Sequence, residues 1–193
     1  MKKITLLAGH RGFEKPTRED ELDMLYCQEL QAIILGYADK YVSYIVPSFG
    51  HYSQNEAIMK EVYHANDNLA DLLISIHCNW SNVNTNAKGF NIFYNQIDTA
   101  KDKELAKKSK RFAEMVSGQL ITSGFSFWGK QAINEDHLAG CGNLAVCSYS
   151  KMPAILIEIG FLSNQGEAND LENPATRLRF CQSIMRGITN YYV

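Results

Sequence analysis

The chain has 193 residues, and its 19 basic and 21 acidic side chains give a formal net charge of −2. This length suits one domain, and the near-neutral charge excludes a strongly basic nucleic-acid binder. An apolar fraction of 46% excludes intrinsic disorder, and no apolar run approaches the roughly 20 residues of a membrane span. No repeat and no Pro/Gly/Ser-rich linker divides the sequence into the two very small domains that this length could also hold. We therefore predict a single domain over residues 1–193, with no nucleic-acid partner and no membrane span.

The predicted elements alternate between apolar strands and amphipathic helices. Strands are predicted at residues 4–8, 42–46, 72–76, 89–94 and 154–159, and a short one at 143–146. Helices are predicted to begin near Thr17, Ser53, Asp102 and Asn173, because each of these cap-type residues precedes apolar residues at helical spacing. Several strands are apolar throughout, which is typical of strands covered on both faces. The pattern predicts an α/β fold with a largely parallel sheet.

The cysteines and the amino terminus bear on the cellular compartment. Five cysteines are scattered without a C-x-x-C pair, which disfavours a thiolate zinc site and favours synthesis in a reducing compartment. The apolar stretch after Met1 is short and is followed at once by His10 and Arg11. We therefore expect synthesis in the cytoplasm without a classical signal peptide.

Near the ends of three predicted strands stand residues of types that can bind a metal ion. His10 follows the first strand, His77 follows the strand at 72–76, and Glu158 lies near the end of the strand at 154–159. Sites in open α/β sheets lie beyond the carboxyl ends of the strands, so these side chains are expected at one edge. Imidazole and carboxylate groups suit Zn²⁺.

A further ligand is expected from the acidic helix that follows Thr17. Its apolar face comprises Leu22, Tyr26, Leu30, Ile33 and Ile34. At 100° per residue, Glu19 lies in line with that face, Glu21 lies on the opposite side and Asp23 lies at the flank. Glu19 is therefore the preferred ligand, with Glu21 and Glu14 as alternatives.

Four blocks of this sequence resemble the zinc-dependent N-acetylmuramoyl-L-alanine amidases of the type 3 class. They are AGHRG at residues 8–12, the glutamate-led helix at 19–30, ADLLISIHCN at 70–79 after an Ala-Asn pair at 65–66, and MPAILIEIGFLSN at 152–164. The last two blocks are long and specific, and the four together extend over most of the chain. Three positions depart from the family pattern: Arg11 replaces a glycine, and Glu61 and Ser148 stand where arginines are frequent.

The resemblance implies His10, Glu19 and His77 as ligands of one Zn²⁺ and Glu158 as the catalytic acid/base. It also implies a mixed, mainly parallel sheet with helices on both faces. The implied reaction is hydrolysis of the amide between the lactyl group of N-acetylmuramic acid and L-alanine in peptidoglycan. We expect one catalytic domain, no separate wall-binding domain, and action on the wall after release, as a phage endolysin or a wall-remodelling enzyme.

Two other functions fit the same residues. One is a zinc carboxypeptidase or deacylase that acts on another amide. The other is a catalytically silent wall-binding module built on the same fold. The presence of His10, Glu19, His77 and Glu158 together favours the amidase over the silent module.

Overall fold

The computed structural model describes residues 1–9, 18–49, 52–139 and 143–193. Within these ranges the strands are β1 (Lys2–Ala8), β2 (Tyr41–Ile45), β3 (Leu72–Asn79), β4 (Asn91–Tyr94), β5 (Ile133–Glu135) and β6 (Ala154–Phe161). The helices are α1 (Arg18–Leu35), α2 (Gln54–Asp67), α3 (Lys103–Thr122), α4 (Ala145–Ser148), α5 (Gln165–Glu172) and α6 (Pro174–Tyr191), and a 3₁₀ turn covers Asp136–Ala139.

The described strands form one six-stranded sheet in the order β2-β1-β3-β6-β4-β5. β1 pairs in parallel with β2 and β3, and β3 pairs in parallel with β6. β4 is antiparallel to β6, and β5 is parallel to β4. The mixed, mainly parallel sheet that was expected is therefore confirmed. In this topology β1, β3 and β6 end at one edge of the sheet, and β5 ends at the opposite edge.

Helices cover both faces of the sheet. On one face α1, α3 and α6 contribute Tyr26, Phe112 and Phe180 to the larger apolar core. On the other face α2 and α4 contribute Val62 and Val146 to a smaller one. The central strands are buried from both sides, which explains why their sequences are continuously apolar.

The helix starts follow from their capping residues. The Asp102 carboxylate accepts a hydrogen bond from the Leu105 N–H at 2.9 Å, and the Asn173 side chain accepts one from the Ala175 N–H at 2.9 Å. These contacts confirm the predicted starts of α3 and α6. The predicted cap Thr17 lies outside the described residues. No helix in the described ranges has the length and apolar character of a membrane span.

The short strand predicted at residues 143–146 is wrong. Residues from Ala145 onward form α4, whose first turn closes with hydrogen bonds from the N–H groups of Cys147 and Ser148 to the Leu144 carbonyl at 3.0 and 2.9 Å. A further strand beside β6 has no place, because β6 already pairs with β3 and β4. A four-residue apolar run does not distinguish a strand from one helical turn.

Candidate metal centre

His77 and Glu158 lie next to each other at the carboxyl edge of the sheet. They are register partners on the parallel strands β3 and β6, which are about 4.8 Å apart in a sheet of this kind. Register partners project from the same face, so the imidazole and the carboxylate share one side of the sheet. Both residues are half-buried, and the Glu158 Oε2 atom is itself buried.

The His77 ring is oriented by the strand that carries it. Its Nε2 atom lies 3.1 Å from the Ser75 hydroxyl, two residues earlier on the same face. Its Nδ1 atom lies 3.8 Å from Glu19 Oε1. A partner on one ring nitrogen fixes the direction of the other, which is how metal-binding histidines are commonly held.

Glu19 reaches this edge from the first turn of α1. Its side chain is 23% exposed and faces His77, whereas Glu21 is exposed and is not part of the cluster described below. The two acids differ because they lie 200° apart around the helix axis. The other predicted ligand His10, and the alternative Glu14, lie outside the described residues.

Asp23 joins the cluster one helical turn after Glu19. Its side chain is 0% exposed, and one ligand atom each from Glu19, Asp23 and His77 lie within 4.8 Å of one another. The sequence placed Asp23 only at the flank of the apolar face. The signal that could have found it is its spacing of four residues from Glu19, which puts both side chains on one side of the helix.

The Asp23 carboxyl is in an unfavourable place for a negative charge. Burial raises its pKa well above the usual range, and the charge of Glu19 raises that pKa further. Glu158 acts in the same direction. Three carboxylates that repel one another around an imidazole form a site that a cation stabilises.

Gly9 leaves room for His77 and Asp23 to pack against the backbone at the end of β1. Its N–H donates to the Ile76 carbonyl at 2.8 Å, which extends the pairing of β1 and β3 by one step. A Cβ atom at this position would lie on the His77 ring and 2.6 Å from Asp23 Oδ2. Only glycine lets the imidazole and the carboxylate approach the backbone this closely.

The donor set fits zinc. It comprises an imidazole nitrogen and two carboxylates within reach of one another, which are ligand types that Zn²⁺ accepts. The cluster also lies where α/β sheets bind their ligands, at the carboxyl ends of β1 and β3. The described part of the chain therefore contains a group of side chains that can hold a metal ion.

Two of the three positions that depart from the family pattern, Ser148 and Glu61, lie within the described residues. Ser148 donates a hydrogen bond to Asp136 Oδ2 at 2.9 Å, and Asp136 is fully buried. This contact joins α4 to the turn after β5, which lies at the edge of the sheet opposite His77. Glu61 is buried on α2, with an exposed fraction of 7%. Arg11 lies outside the described residues.

Imidazole and carboxylate side chains at the carboxyl edge of an α/β sheet are groups that can hold a metal ion that activates water. A family model described as N-acetylmuramoyl-L-alanine amidase matches residues 9–190. The chain belongs to this family of hydrolases, and the resemblance read from its sequence is confirmed.

Individual relatives agree with the family. The chain is 30% identical over 190 residues to an uncharacterized cell wall amidase of Bacillus anthracis, covering 95% of this chain and 33% of that protein. It is 30% identical over 123 residues to the N-acetylmuramoyl-L-alanine amidase LytC of Bacillus subtilis, covering 64% of this chain and 22% of that protein. The chain thus spans a third or less of the length of these two relatives.

Solved structures show the same fold. The catalytic domain of the N-acetylmuramoyl-L-alanine amidase CwlV of Paenibacillus polymyxa matches with a TM-score of 0.77 and 24% identity, covering 100% of this chain and 98% of that one. The amidase Ami1 of Mycobacterium abscessus matches with a TM-score of 0.82 and 16% identity, covering 100% and 99%. At these identities the likeness establishes the fold alone.

Proposed function

We propose that this protein is a zinc-dependent peptidoglycan amidase. It hydrolyses the amide between the lactyl group of N-acetylmuramic acid and L-alanine. The observation that carries the proposal is that His77 lies beside Glu19 and is the register partner of Glu158, at the carboxyl edge of the sheet in a chain of the N-acetylmuramoyl-L-alanine amidase family. Because the substrate forms the cell wall, this activity requires the protein to reach the wall.

In the proposed site His10, Glu19 and His77 hold one Zn²⁺. When bound, zinc would supply a Lewis acid for the amide carbonyl and would lower the pKa of a bound water to about 7. Ser75 keeps the His77 ring in a fixed orientation, with Nδ1 toward Glu19. The half-buried setting of both side chains limits competition from bulk solvent.

Glu158 performs the proton transfers in this proposal. Its carboxylate accepts a proton from the attacking water and then delivers that proton to the nitrogen of the leaving amine. An amide needs the second step because its nitrogen is a poor leaving group until it is protonated. The position of Glu158 as register partner of His77 supports this role, because it places the carboxylate beside the proposed metal ligands.

Digestion of purified peptidoglycan tests the reaction. We expect new L-alanine amino termini and muramic lactyl groups with free carboxylates, release that stops with a chelator, and recovery on adding zinc. New termini elsewhere in the stem peptide would identify the enzyme as a carboxypeptidase. Release of acyl groups would identify it as a deacylase. Wall binding without any new termini would identify a silent module and overturn the proposal.

Separate alanine substitutions of Glu19 and Glu21 on α1 test which of the two carboxylates binds the metal. We expect Glu19→Ala to weaken zinc binding more than about 100-fold, since loss of a direct ligand exceeds the 10–100-fold typical of its supporting contacts. Glu21→Ala is the matched control and is expected to bind zinc normally, because Glu21 is exposed. Zinc content after dialysis measures both. The reverse result would transfer the ligand role to Glu21.

A further inference from the structure

The carboxylate of Glu167 joins two strands next to the proposed acid/base Glu158. The pairing of β4 with β6 begins where Asn91 stands opposite Glu158. Just beyond that pair, Glu167 Oε2 accepts a hydrogen bond from the Phe161 N–H and Oε1 accepts one from the Gly89 N–H, each at 2.7 Å. Phe161 ends β6, and Gly89 lies two residues before the start of β4. One side chain therefore connects the two strands at the point where they separate.

Helix capping does not account for this position of the Glu167 side chain. Glu167 is the third residue of α5, where a glutamate commonly accepts a hydrogen bond from the N–H of the capping residue. The capping residue is Asn164, and its side chain accepts from the Glu167 N–H at 3.1 Å. The Asn164 N–H, however, donates to the Phe161 carbonyl at 3.2 Å. The carboxylate is thus directed toward the two strands instead of the start of its own helix.

The carboxylate occupies this place against a desolvation cost. Glu167 is half-buried, and burial raises its pKa, while the N–H groups of Phe161 and Gly89 partly oppose that shift. The two contacts are charge-assisted hydrogen bonds, which are stronger than those between neutral groups. A Cβ atom at Gly160 would lie 2.8 Å from Glu167 Cδ, so the absence of a side chain there lets the carboxylate lie against β6.

The end of β6 depends on such contacts because its regular pairing changes on both sides after Glu158. On one side, the register between β3 and β6 shifts between His77 and Asn79. On the other side, the ladder with β4 begins only at Asn91. The backbone of β6 sets where the Glu158 carboxylate lies relative to its register partner His77. A movement of this strand end would therefore move the acid/base relative to the metal ligands.

We propose that Glu167 is a positioning residue, which keeps Glu158 in place beside the metal ligands by joining the end of β6 to the segment before β4. This inference rests on the proposed function, because it concerns the acid/base of that reaction. Glu167 acts through the backbone and does not touch the reacting atoms. A misplacement of about 1 Å can lower a catalytic rate on the order of 100-fold, so a small movement is sufficient.

Steady-state kinetics of the zinc-loaded protein test the proposal. Glu167→Gln keeps the size of the side chain, but its amide nitrogen cannot accept one of the two hydrogen bonds. On a soluble peptidoglycan fragment with an intact stem peptide, we expect kcat to fall about 10–100-fold, with KM and zinc content within about 3-fold of wild type. Asp170→Asn is the matched control with normal kcat, because Asp170 is an exposed carboxylate on the same helix.

A second control separates positioning from a general loss of stability. Asp102→Ala also removes a carboxylate that accepts a backbone N–H, that of Leu105 at the start of α3. This helix begins beyond the end of β4 that is remote from Glu158. We expect Asp102→Ala to lower the thermal unfolding midpoint and to leave kcat unchanged. Glu167→Ala, which accepts neither hydrogen bond, is expected to lower kcat further than Glu167→Gln.

The position of Glu158 provides a reading that does not depend on activity. In crystals of Glu167→Gln, we expect the Glu158 carboxylate to lie about 1 Å from its wild-type place relative to His77. Amide hydrogen exchange at Phe161 and Gly89 is expected to become faster, because one of the two N–H groups loses its acceptor.

The outcomes separate the two proposals. The positioning role is overturned if Glu158 keeps its place in Glu167→Gln, if kcat of that variant is normal, or if Asp102→Ala loses kcat to the same degree. A wild-type protein that releases no L-alanine amino termini from peptidoglycan overturns the amidase proposal. In that case the crystals still decide whether Glu167 holds Glu158 in place.

Discussion

Replacing Glu158 with alanine is expected to lower the rate of wall hydrolysis by about 10²–10⁴-fold and to leave the zinc content unchanged. Proton transfer by a positioned side chain contributes a factor of this size. The zinc content is retained because the proposed ligands are other residues. Initial rates of wall solubilisation and metal analysis of the same samples provide the two readings.

The control for this variant is Glu104→Ala. Glu104 is a glutamate on α3 that is 75% exposed and pairs with Lys107 on the surface, so its loss is expected to change neither reading. Glu158→Gln is expected to behave like Glu158→Ala, since an amide does not accept a proton in this pH range. Normal turnover by either Glu158 variant would disprove the acid/base role, and loss of zinc by both would make Glu158 a ligand instead.

Replacing Gly9 with alanine is expected to weaken zinc binding, because the new side chain would occupy space that the ligands need. The added methyl group would lie on the His77 ring and 2.6 Å from Asp23 Oδ2. His77 can turn away more easily than the fully buried Asp23, so the imidazole is expected to leave the direction of Glu19. We expect zinc affinity to fall about 10–100-fold, as it does when the orientation of a ligand is lost. The free energy of unfolding is expected to fall by about 1–3 kcal/mol, a typical cost of overpacking.

Gly118→Ala is the matched control for the same chemical change. Gly118 lies in α3, and a Cβ atom there would meet nothing within 4 Å. Alanine in a helix is favoured over glycine by roughly 0.5–1 kcal/mol, so this variant is expected to be slightly more stable and to bind zinc normally. Zinc titration and denaturant unfolding of both variants make the comparison. Unchanged zinc affinity in Gly9→Ala would show that the contact at Gly9 does not hold the site together.

The sheet edge that carries the site could be predicted because its strands are buried on both faces. Continuous apolar runs identify β1, β3 and β6, and His77 and Glu158 stand near the ends of two of them. Parallel pairing then brings those ends together, as the register of His77 with Glu158 shows. Glu19 followed from helical phase, because a carboxylate in line with the apolar face of a helix points toward the sheet.

Other features could not be predicted because they depend on contacts between distant segments. β5 has three residues, all of them half-buried, and it exists through its pairing with β4. The residues around Val146 form α4 rather than a strand, because both sides of β6 are already occupied. Neither fact is encoded in the local periodicity of the segment itself.

The sequence by itself determined the α/β class, the main strands, the family and the side chains available for a metal. These properties follow from residue type and from periodicities of two and 3.6 residues, which are local. Only the tertiary structure showed how closely Glu19 approaches His77, with Oε1 3.8 Å from Nδ1. It also showed that Asp23 is buried within the same cluster and that Gly9 must lack a side chain. These points depend on how closely α1 approaches the ends of β1 and β3, and that distance is set by the packing of the whole domain.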